Sequence, residues 1–519
     1  MPASKRVILV NFATGEMPDV VFELQKKGME IVYWLGGKQK FHELAMKKEK
    51  FPNTVFHDYL DAIQGIPARE YQAVNIPPAG SIIINQLSER ELAIQYLMDR
   101  INYTGLSFYH RKNLYHKCLS YWLFVLRELK PDAVMFSDLP HLYIAYLIFS
   151  IAKLLDIKTI ICRRVKGFPE RVMVFDDFTK YSELQSAYRL LESQDMDMNN
   201  LSESIKLYYQ EQVDARQGSI TEKYAKHIQS PDKGRGTKLL PSFGVVMKNI
   251  RQLSFFKTAF LYLRFLFKKT RIESLENKTY RNITLRLHNL KWNRLRKEYK
   301  AEYESLVSTF DKEKKFVYVP LHYQPECTTA PMGGIYADQI LMIDTIAASL
   351  PNDWVVYVKE NKIQWTFPFT HTARYNGYYK EIKKNKNVFF IPTDTSTFDL
   401  INCSQAVATV TGTAGWEAIM RLKPVLLFGY PWYMHCDGVF RVDGVESCQK
   451  AIKKISDGIT MDEKKILRFL TAMEQVSVPG YLHLRYAKNS GISREKNTKN
   501  IADFLYKYLA GDEKRQISF

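Results

Sequence analysis

Phe316-Val317-Tyr318-Val319-Pro320 runs straight into Leu321-His322-Tyr323-Gln324-Pro325-Glu326-Cys327-Thr328-Thr329. Ala406-Val407-Ala408-Thr409-Val410 runs in the same way into Thr411-Gly412-Thr413-Ala414-Gly415-Trp416-Glu417-Ala418. In both, a short apolar run ends in a loop of Gly, Thr, His, amide or acid side chains. Trp354–Val358, Asn387–Ile391 and Pro424–Phe428 are three further runs, and helix-like stretches such as Ala337–Leu350 and Thr413–Leu422 separate them. Strands alternating with helices predict an α/β domain with a parallel sheet covered on both faces. Ligands of such sheets bind outside the carboxyl ends of the strands, where these polar loops sit. The second half therefore reads as a nucleotide-binding domain.

Working outward, the first half alternates too. Val7–Val10 ends at Asn11-Phe12-Ala13-Thr14-Gly15, and Glu30–Trp34 ends at Gly36-Gly37. Ser81–Asn85, after Pro77-Pro78, reads as another strand. A helical stretch Tyr115–Leu129 leads to the strand Pro131–Phe136 and then Ser137-Asp138-Leu139-Pro140-His141. A helix over Leu142–Leu155 feeds Lys158–Cys162, followed by Arg163-Arg164. The expectation is two doubly wound domains: 1–240 with a polar helical connector over 182–240, and 306–485. Between them lies a basic aromatic segment, 241–305, and after them a closing helix (Asn497–Leu509) and tail within 486–519. Ser230–Gly236 carries the strongest turn composition of the connector.

At 519 residues and 46% hydrophobic content the chain can fill two cores and is not a disordered protein. Its six cysteines form no CxxC pair and no zinc spacing, which fits reduced thiols in a cytoplasmic protein. No signal-peptide pattern opens the chain, and Lys153 and Asp156 interrupt the most apolar stretch, Tyr143–Ile161, so no membrane span is expected. The formal net charge is +19, and residues 246–300 hold fifteen Lys or Arg against three Glu. The same segment carries Phe255, Phe256, Phe260, Phe265 and Phe267 just before Lys268-Lys269. Basic and aromatic residues together suit an anionic membrane surface, with packing between the domains as the alternative. No nucleic-acid motif accompanies the charge, so nucleic acid is not an expected partner.

Two loops carry the candidate chemistry. In Thr411-Gly412-Thr413-Ala414-Gly415, small residues would let the backbone approach a phosphate at a helix start, and Glu417 could accept from ribose hydroxyls. The turn is not a GxGxxG, which disfavours a dinucleotide site. His322, Gln324 and Glu326 gather an imidazole, an amide and a carboxylate on one loop, ahead of Gly333-Gly334. Asp176-Asp177 is an adjacent pair that a strand would split between its faces.

From about Phe316 to Val442 the chain resembles the bacterial capsule polysaccharide biosynthesis family, which includes Kdo transferases of the GT-B fold. Carrying the resemblance are residues 321–334, the Asp338-Gln339 helix start, the run from Leu350 to Glu360, residues 410–418 and residues 423–433. Ser137–His141 matches more loosely. The resemblance implies two Rossmann-like domains facing a cleft, a nucleotide sugar on the second (His322, Gln324, Lys359 and the 411–417 turn) and an acceptor mostly on the first. It implies no metal and no cofactor. Where the family commonly reads Lys-Glu-His-Pro, this chain has Lys359-Glu360-Asn361-Lys362, which weakens CMP-linked sugars as the default and leaves UDP- or GDP-linked donors open. Lys362 or His371 could stand in for the missing contact.

Transfer needs a base or nucleophile and a group that stabilises the departing phosphate. Asp138 and His141, just past a strand end, are the first catalytic candidates, and Glu326 is their rival. Arg163 and Arg164 are candidates for a phosphate or an acidic acceptor. The reading is a cytoplasmic, peripheral-membrane glycosyltransferase acting on a surface polysaccharide or a lipid-linked precursor. Its alternatives are a nucleotide-sugar epimerase or hydrolase of the same fold, or a non-catalytic assembly scaffold.

Overall fold

The computed structural model describes residues 4–103, 105–165, 170–214, 260, 263–277, 279–366 and 370–511. β1 (Lys5–Val10), β2 (Met29–Gly36), β3 (Val55–Asp58), β4 (Ala133–Phe136) and β5 (Lys158–Arg164) are parallel and lie in the order β3-β2-β1-β4-β5. β6 (Arg171–Phe175) turns back antiparallel along β5. Residues 7–10 and 133–136 are at most 1% exposed, because helices cover both faces of the sheet. That double cover is why these strands read as unbroken apolar runs rather than alternating ones.

One strand assignment fails here. Ser81–Gln86 is a helix, entered after Gly80. Ile82 is 73% exposed, while Ile83 and Ile84 are half-buried against the core as parts of a helix, without a sheet. A short apolar run does not distinguish strand from helix by itself. The third strand of the sheet is instead Val55-Phe56-His57-Asp58, whose polar half hid it.

The described part of the basic segment forms a short antiparallel ribbon, β7 (Lys269–Arg271) with β8 (Thr279–Arg281), and the 24-residue helix Asn282–Ser305. The ribbon region leans on the first domain, where the Leu275 N–H donates to Ile101 O at 3.2 Å and Arg271 meets Asp58 at 2.8 Å. The far end of the helix enters the second domain, where the buried Tyr303 hydroxyl donates to Ile391 O at 2.6 Å. The segment is therefore packed between the domains along one side. Leu263, Phe267, Leu287 and Leu290 remain more than half exposed on it. Residues 246–259 and 230–236 lie outside the described residues.

β9 (Lys315–Pro320), β10 (Trp354–Lys359), β11 (Val388–Phe390), β12 (Ala406–Thr409), β13 (Val425–Leu427) and β14 (Val439–Arg441) form the second sheet, all parallel, in the order β11-β10-β9-β12-β13-β14. Counted from its own first strand the order is 3-2-1-4-5-6, the doubly wound arrangement. The order reverses between β9 and β12 in this sheet and between β1 and β4 in the first. The expected pair of Rossmann-like domains is present, and each has such a switch point.

The chain does not end in the second domain. β15 (Ser477–Pro479) pairs antiparallel with β6, so residues assigned from sequence to 306–485 form an edge of the first sheet. The buried Arg171 fixes this return, its Nη2 donating to Glu474 O and Ser477 O at 2.8 Å each. The closing helix Arg494–Ala510 packs against Met17–Lys26, with Arg494 Nε on Asp19 Oδ2 at 2.9 Å.

Candidate functional site

At the switch point of the second sheet, the loops after β9 and β12 interlock. Thr409, the last residue of β12, accepts from Gly412 N at 3.0 Å and lies 3.0 Å from His322 Nε2. The Thr411 N–H also points at that nitrogen, at 3.4 Å. Nε2 is therefore an acceptor and the imidazole carries its proton on Nδ1. Farther along, Thr411 Oγ1 donates to Thr328 O at 2.6 Å and Tyr430 N to Met332 O at 3.0 Å.

The glycines serve this interlock. A Cβ on Gly412 would stand 2.8 Å from Thr409 Oγ1 and 3.1 Å from His322 Cε1, and one on Gly415 would stand 2.5 Å from Tyr433 Oη. Gly333 would meet Thr329 O at 2.5 Å. Their lack of a side chain lets loop pack on loop, a use the sequence reading did not assign to them. Glu417 is fully buried one turn into the Thr413–Ile419 helix. Burial pushes the Tyr433 and Tyr208 phenols up, and the Glu417 charge adds to the shift in both.

The other second-domain candidates divide. Gln324 is tied into the protein, its Nε2 on Ala337 O at 2.8 Å and its Oε1 accepting from Gln339 at 2.7 Å and Arg374 at 3.0 Å. Lys359 Nζ donates to Thr395 O and Thr397 Oγ1, both at 2.8 Å, and so anchors the following connection. Glu326 turns back onto its own loop, accepting from the Thr328 N–H at 2.8 Å and from the Thr328 hydroxyl. Thr413 and Ala414 open the helix after Gly412, and Thr413 lines the crevice between the domains.

At the switch point of the first sheet, the Ser137 N–H donates to Val10 O and its hydroxyl to Asn11 O at 2.8 Å. Asp138 Oδ1 accepts from the Leu139 N–H at 2.7 Å. His141 Nδ1 lies 2.7 Å from Leu139 O, and a carbonyl only accepts, so Nδ1 carries a proton and Nε2 is the nitrogen left to accept one.

Arg163 joins the two halves. It lines a narrow interdomain crevice of ≈ 20 Å³ with Tyr181, Thr328, Met332, Thr411 and Trp432 among others, and its Nη1 donates to Met332 Sδ at 3.4 Å. Burial works against its charge, yet Tyr181, Cys327, Asp138 and Glu326 together raise its pKa. One carboxylate candidate from each domain thus acts on a single guanidinium. Tyr181 holds φ at +46°, a conformation costly for a bulky residue, with its ring 4.7 Å from that of Phe175. Burial pushes its phenol up to about 12, against the pull of Arg163. Arg164 faces away, stacked on Tyr486 at 4.2 Å, as alternation along a strand requires.

The domains also meet beside the crevice. Trp416 Nε1 donates to the Tyr208 hydroxyl at 2.8 Å, and His435 Nε2 donates to Lys180 O at 2.6 Å. Among the described residues no group of three or more His, Cys, Asp or Glu side chains is arranged to hold a metal ion.

Residues 280–457 match a family described as capsule polysaccharide biosynthesis protein. The resemblance holds over that segment. It is roughly a third of the chain and contains the whole second sheet and both interlocked loops. No curated protein matches the sequence. Among solved structures, KpsC of Thermosulfurimonas dismutans, a beta Kdo 2,7 transferase, is 10% identical, covering 91% of this chain and 99% of its own, at a TM-score of 0.30. The UDP-GlcNAc 2-epimerase of Neisseria meningitidis bound to UDP-GlcNAc is 13% identical, with coverage of 98% and 100% and a TM-score of 0.21. HepE of Anabaena in complex with UDP-glucose is 11% identical, with coverage of 98% and 99% and a TM-score of 0.22. At these values the likeness carries no functional argument.

Proposed function

We propose that this protein is a glycosyltransferase of surface polysaccharide assembly, taking a nucleotide sugar on the second domain and an acceptor against the first. One observation carries the reading. The family-matched segment brings its two switch-point loops to a crevice whose opposite wall bears Arg163 and Tyr181, and the charges of Asp138 and Glu326 both act on the Arg163 guanidinium. The nucleotide lies along the 411–417 turn and the His322 loop. Asp138 or His141 takes the proton of the acceptor hydroxyl, or Asp138 attacks as a nucleophile, and Glu326 is the alternative carboxylate. Arg163 stabilises the departing phosphate or an acidic sugar, while Arg164 and Gln324 play structural parts.

The donor is CMP-, UDP- or GDP-linked, the acceptor is a glycan or lipid-linked glycan, and the reaction needs no metal. Thermal unfolding with CMP, UDP and GDP, each with and without EDTA, tests the binding half. A shift with one nucleotide that persists in EDTA is expected, and no shift with any of them contradicts it.

The protein works at the inner face of the cell membrane. Support comes from the exposed Leu263, Phe267, Leu287 and Leu290 beside Arg264, Lys268, Lys269 and Lys291. Among the described residues no helix is long and apolar enough to cross a membrane, so this contact is peripheral.

A further inference from the structure

Behind the His322 loop lies an ion pair that the proposed chemistry does not use. Glu360, at the end of β10, and Arg374 each have 0% side-chain exposure. Arg374 uses all five of its N–H donors. Nε bonds Glu360 Oε2 at 3.0 Å, Nη1 bonds Gln324 Oε1 at 3.0 Å and Ala373 O at 2.9 Å, and Nη2 bonds His322 O at 3.1 Å and Glu360 Oε1 at 3.4 Å. Glu360 is equally engaged, accepting also from the Tyr379 hydroxyl and the Asn361 N–H at 2.7 Å each.

A buried ion pair by itself contributes little net stability, since desolvation offsets the attraction. What this pair does is geometric. Two of the five bonds hold the main chain of His322 and the side chain of Gln324, and Gln339 braces the same loop through the His322 N–H at 2.7 Å. The other end of the network is the segment from Glu360 to Arg374, which contains the Asn361-Lys362 departure from the family pattern. The guanidinium thus fixes one loop of the crevice relative to the segment beside it.

We infer that Arg374 is a positioning residue, setting the His322 loop for nucleotide through His322 O and Gln324 Oε1. The inference rests on the proposed nucleotide site.

Arg374→Ala strands the Glu360 carboxylate in the core and tests folding only. The informative variant is the double change Glu360→Gln with Arg374→Met, which removes both charges, retains the volume and deletes the two loop bonds. Three readouts apply: the thermal midpoint, calorimetric affinity for CMP, UDP and GDP, and the 13C-histidine NMR signal of His322, identified with His322→Gln. The expected result is a midpoint within a few degrees of wild type, a tenfold or greater loss of nucleotide affinity and a displaced His322 signal before any nucleotide is added. An unchanged His322 signal with unchanged affinity overturns the inference. If wild type binds no nucleotide, the site assignment fails, and the His322 signal alone still decides the positioning role. If the double variant does not fold, Arg374→Lys carries the same readouts. Its ammonium keeps the charge opposite Glu360 but cannot reach His322 O and Gln324 Oε1 together.

Discussion

Thr409 Oγ1 lies 3.0 Å from His322 Nε2, and this contact ties together the ends of the two strands at which the order of the second sheet reverses. The hydroxyl accepts from Gly412 and donates to the imidazole, so one small polar group sets the turn and the tautomer at once.

The first prediction follows from it. Thr409→Val keeps the shape of the side chain but leaves the Gly412 N–H without its acceptor and removes the hydroxyl from His322 Nε2, a loss of about 1–3 kcal/mol for a buried polar group. The thermal midpoint should fall while the fold persists, and nucleotide-induced stabilisation should weaken. Gly412→Val, which drives a side chain onto Thr409 and His322, should abolish that stabilisation altogether. Unchanged nucleotide affinity in both variants would move the site elsewhere.

Chemistry at the opposite wall is separable from binding. Asp138→Asn or His141→Ala should lower turnover by about 10²–10⁴-fold, the usual worth of a general base. Nucleotide affinity, measured by calorimetry, should survive in both. Normal transfer by both variants would pass the role to Glu326.

His435 gives a pH dependence. Burial, helped by Arg189 and Arg441, holds its imidazole below the usual value, against the hydrogen bond to Lys180 O. The folded protein therefore binds fewer protons here than the unfolded chain does. The contribution to stability is full above the unfolded value of about 6.5 and is lost as pH falls through the depressed folded value. The thermal midpoint should drop more steeply for wild type than for His435→Gln on acidification from about pH 7.5 to about 5. Parallel curves would mean that this contact does not titrate.

Membrane docking predicts binding to anionic vesicles that weakens with salt without vanishing, because inserted Phe and Leu side chains add a term that salt does not screen. Phe267→Ser with Leu290→Ser should remove the salt-resistant part, and Lys268→Glu with Lys269→Glu should remove the rest. Arg271 is left alone because it pairs with Asp58. Wild type that ignores anionic vesicles in a sedimentation assay would leave interdomain packing as the segment's whole role.

The sheets were legible wherever burial on both faces made the strands continuous, as at Val7–Val10 and Phe316–Pro320. Val55–Asp58 escaped because its polar residues broke the run, and Ile82–Ile84 misled because a short run of β-branched residues also fits a half-buried helix. β15 could not be read at all, since three residues pair with a strand some 300 positions earlier, and only the Arg171 bonds reveal why. The loops of the site were legible through their polar side chains, but the functions of those side chains were not. Gln324 and Lys359 hydrogen-bond neighbouring loops, which their local sequence did not show, and Arg374, far along the chain from the loop it holds, left no local signal. Arg163 and Arg164 looked like a pair and face opposite ways, which strand alternation alone could have told.

The account stands or falls on transfer. The wild-type protein should be incubated with CMP-, UDP- and GDP-linked sugars, each with and without a lipid-linked or soluble glycan acceptor, and the products weighed by mass spectrometry. The account predicts that one donor is consumed only when acceptor is present, that the acceptor gains the mass of one glycosyl unit, and that Asp138→Asn or His141→Ala suppresses the gain. Donor consumed equally without acceptor, or no donor consumed under any condition, would contradict it.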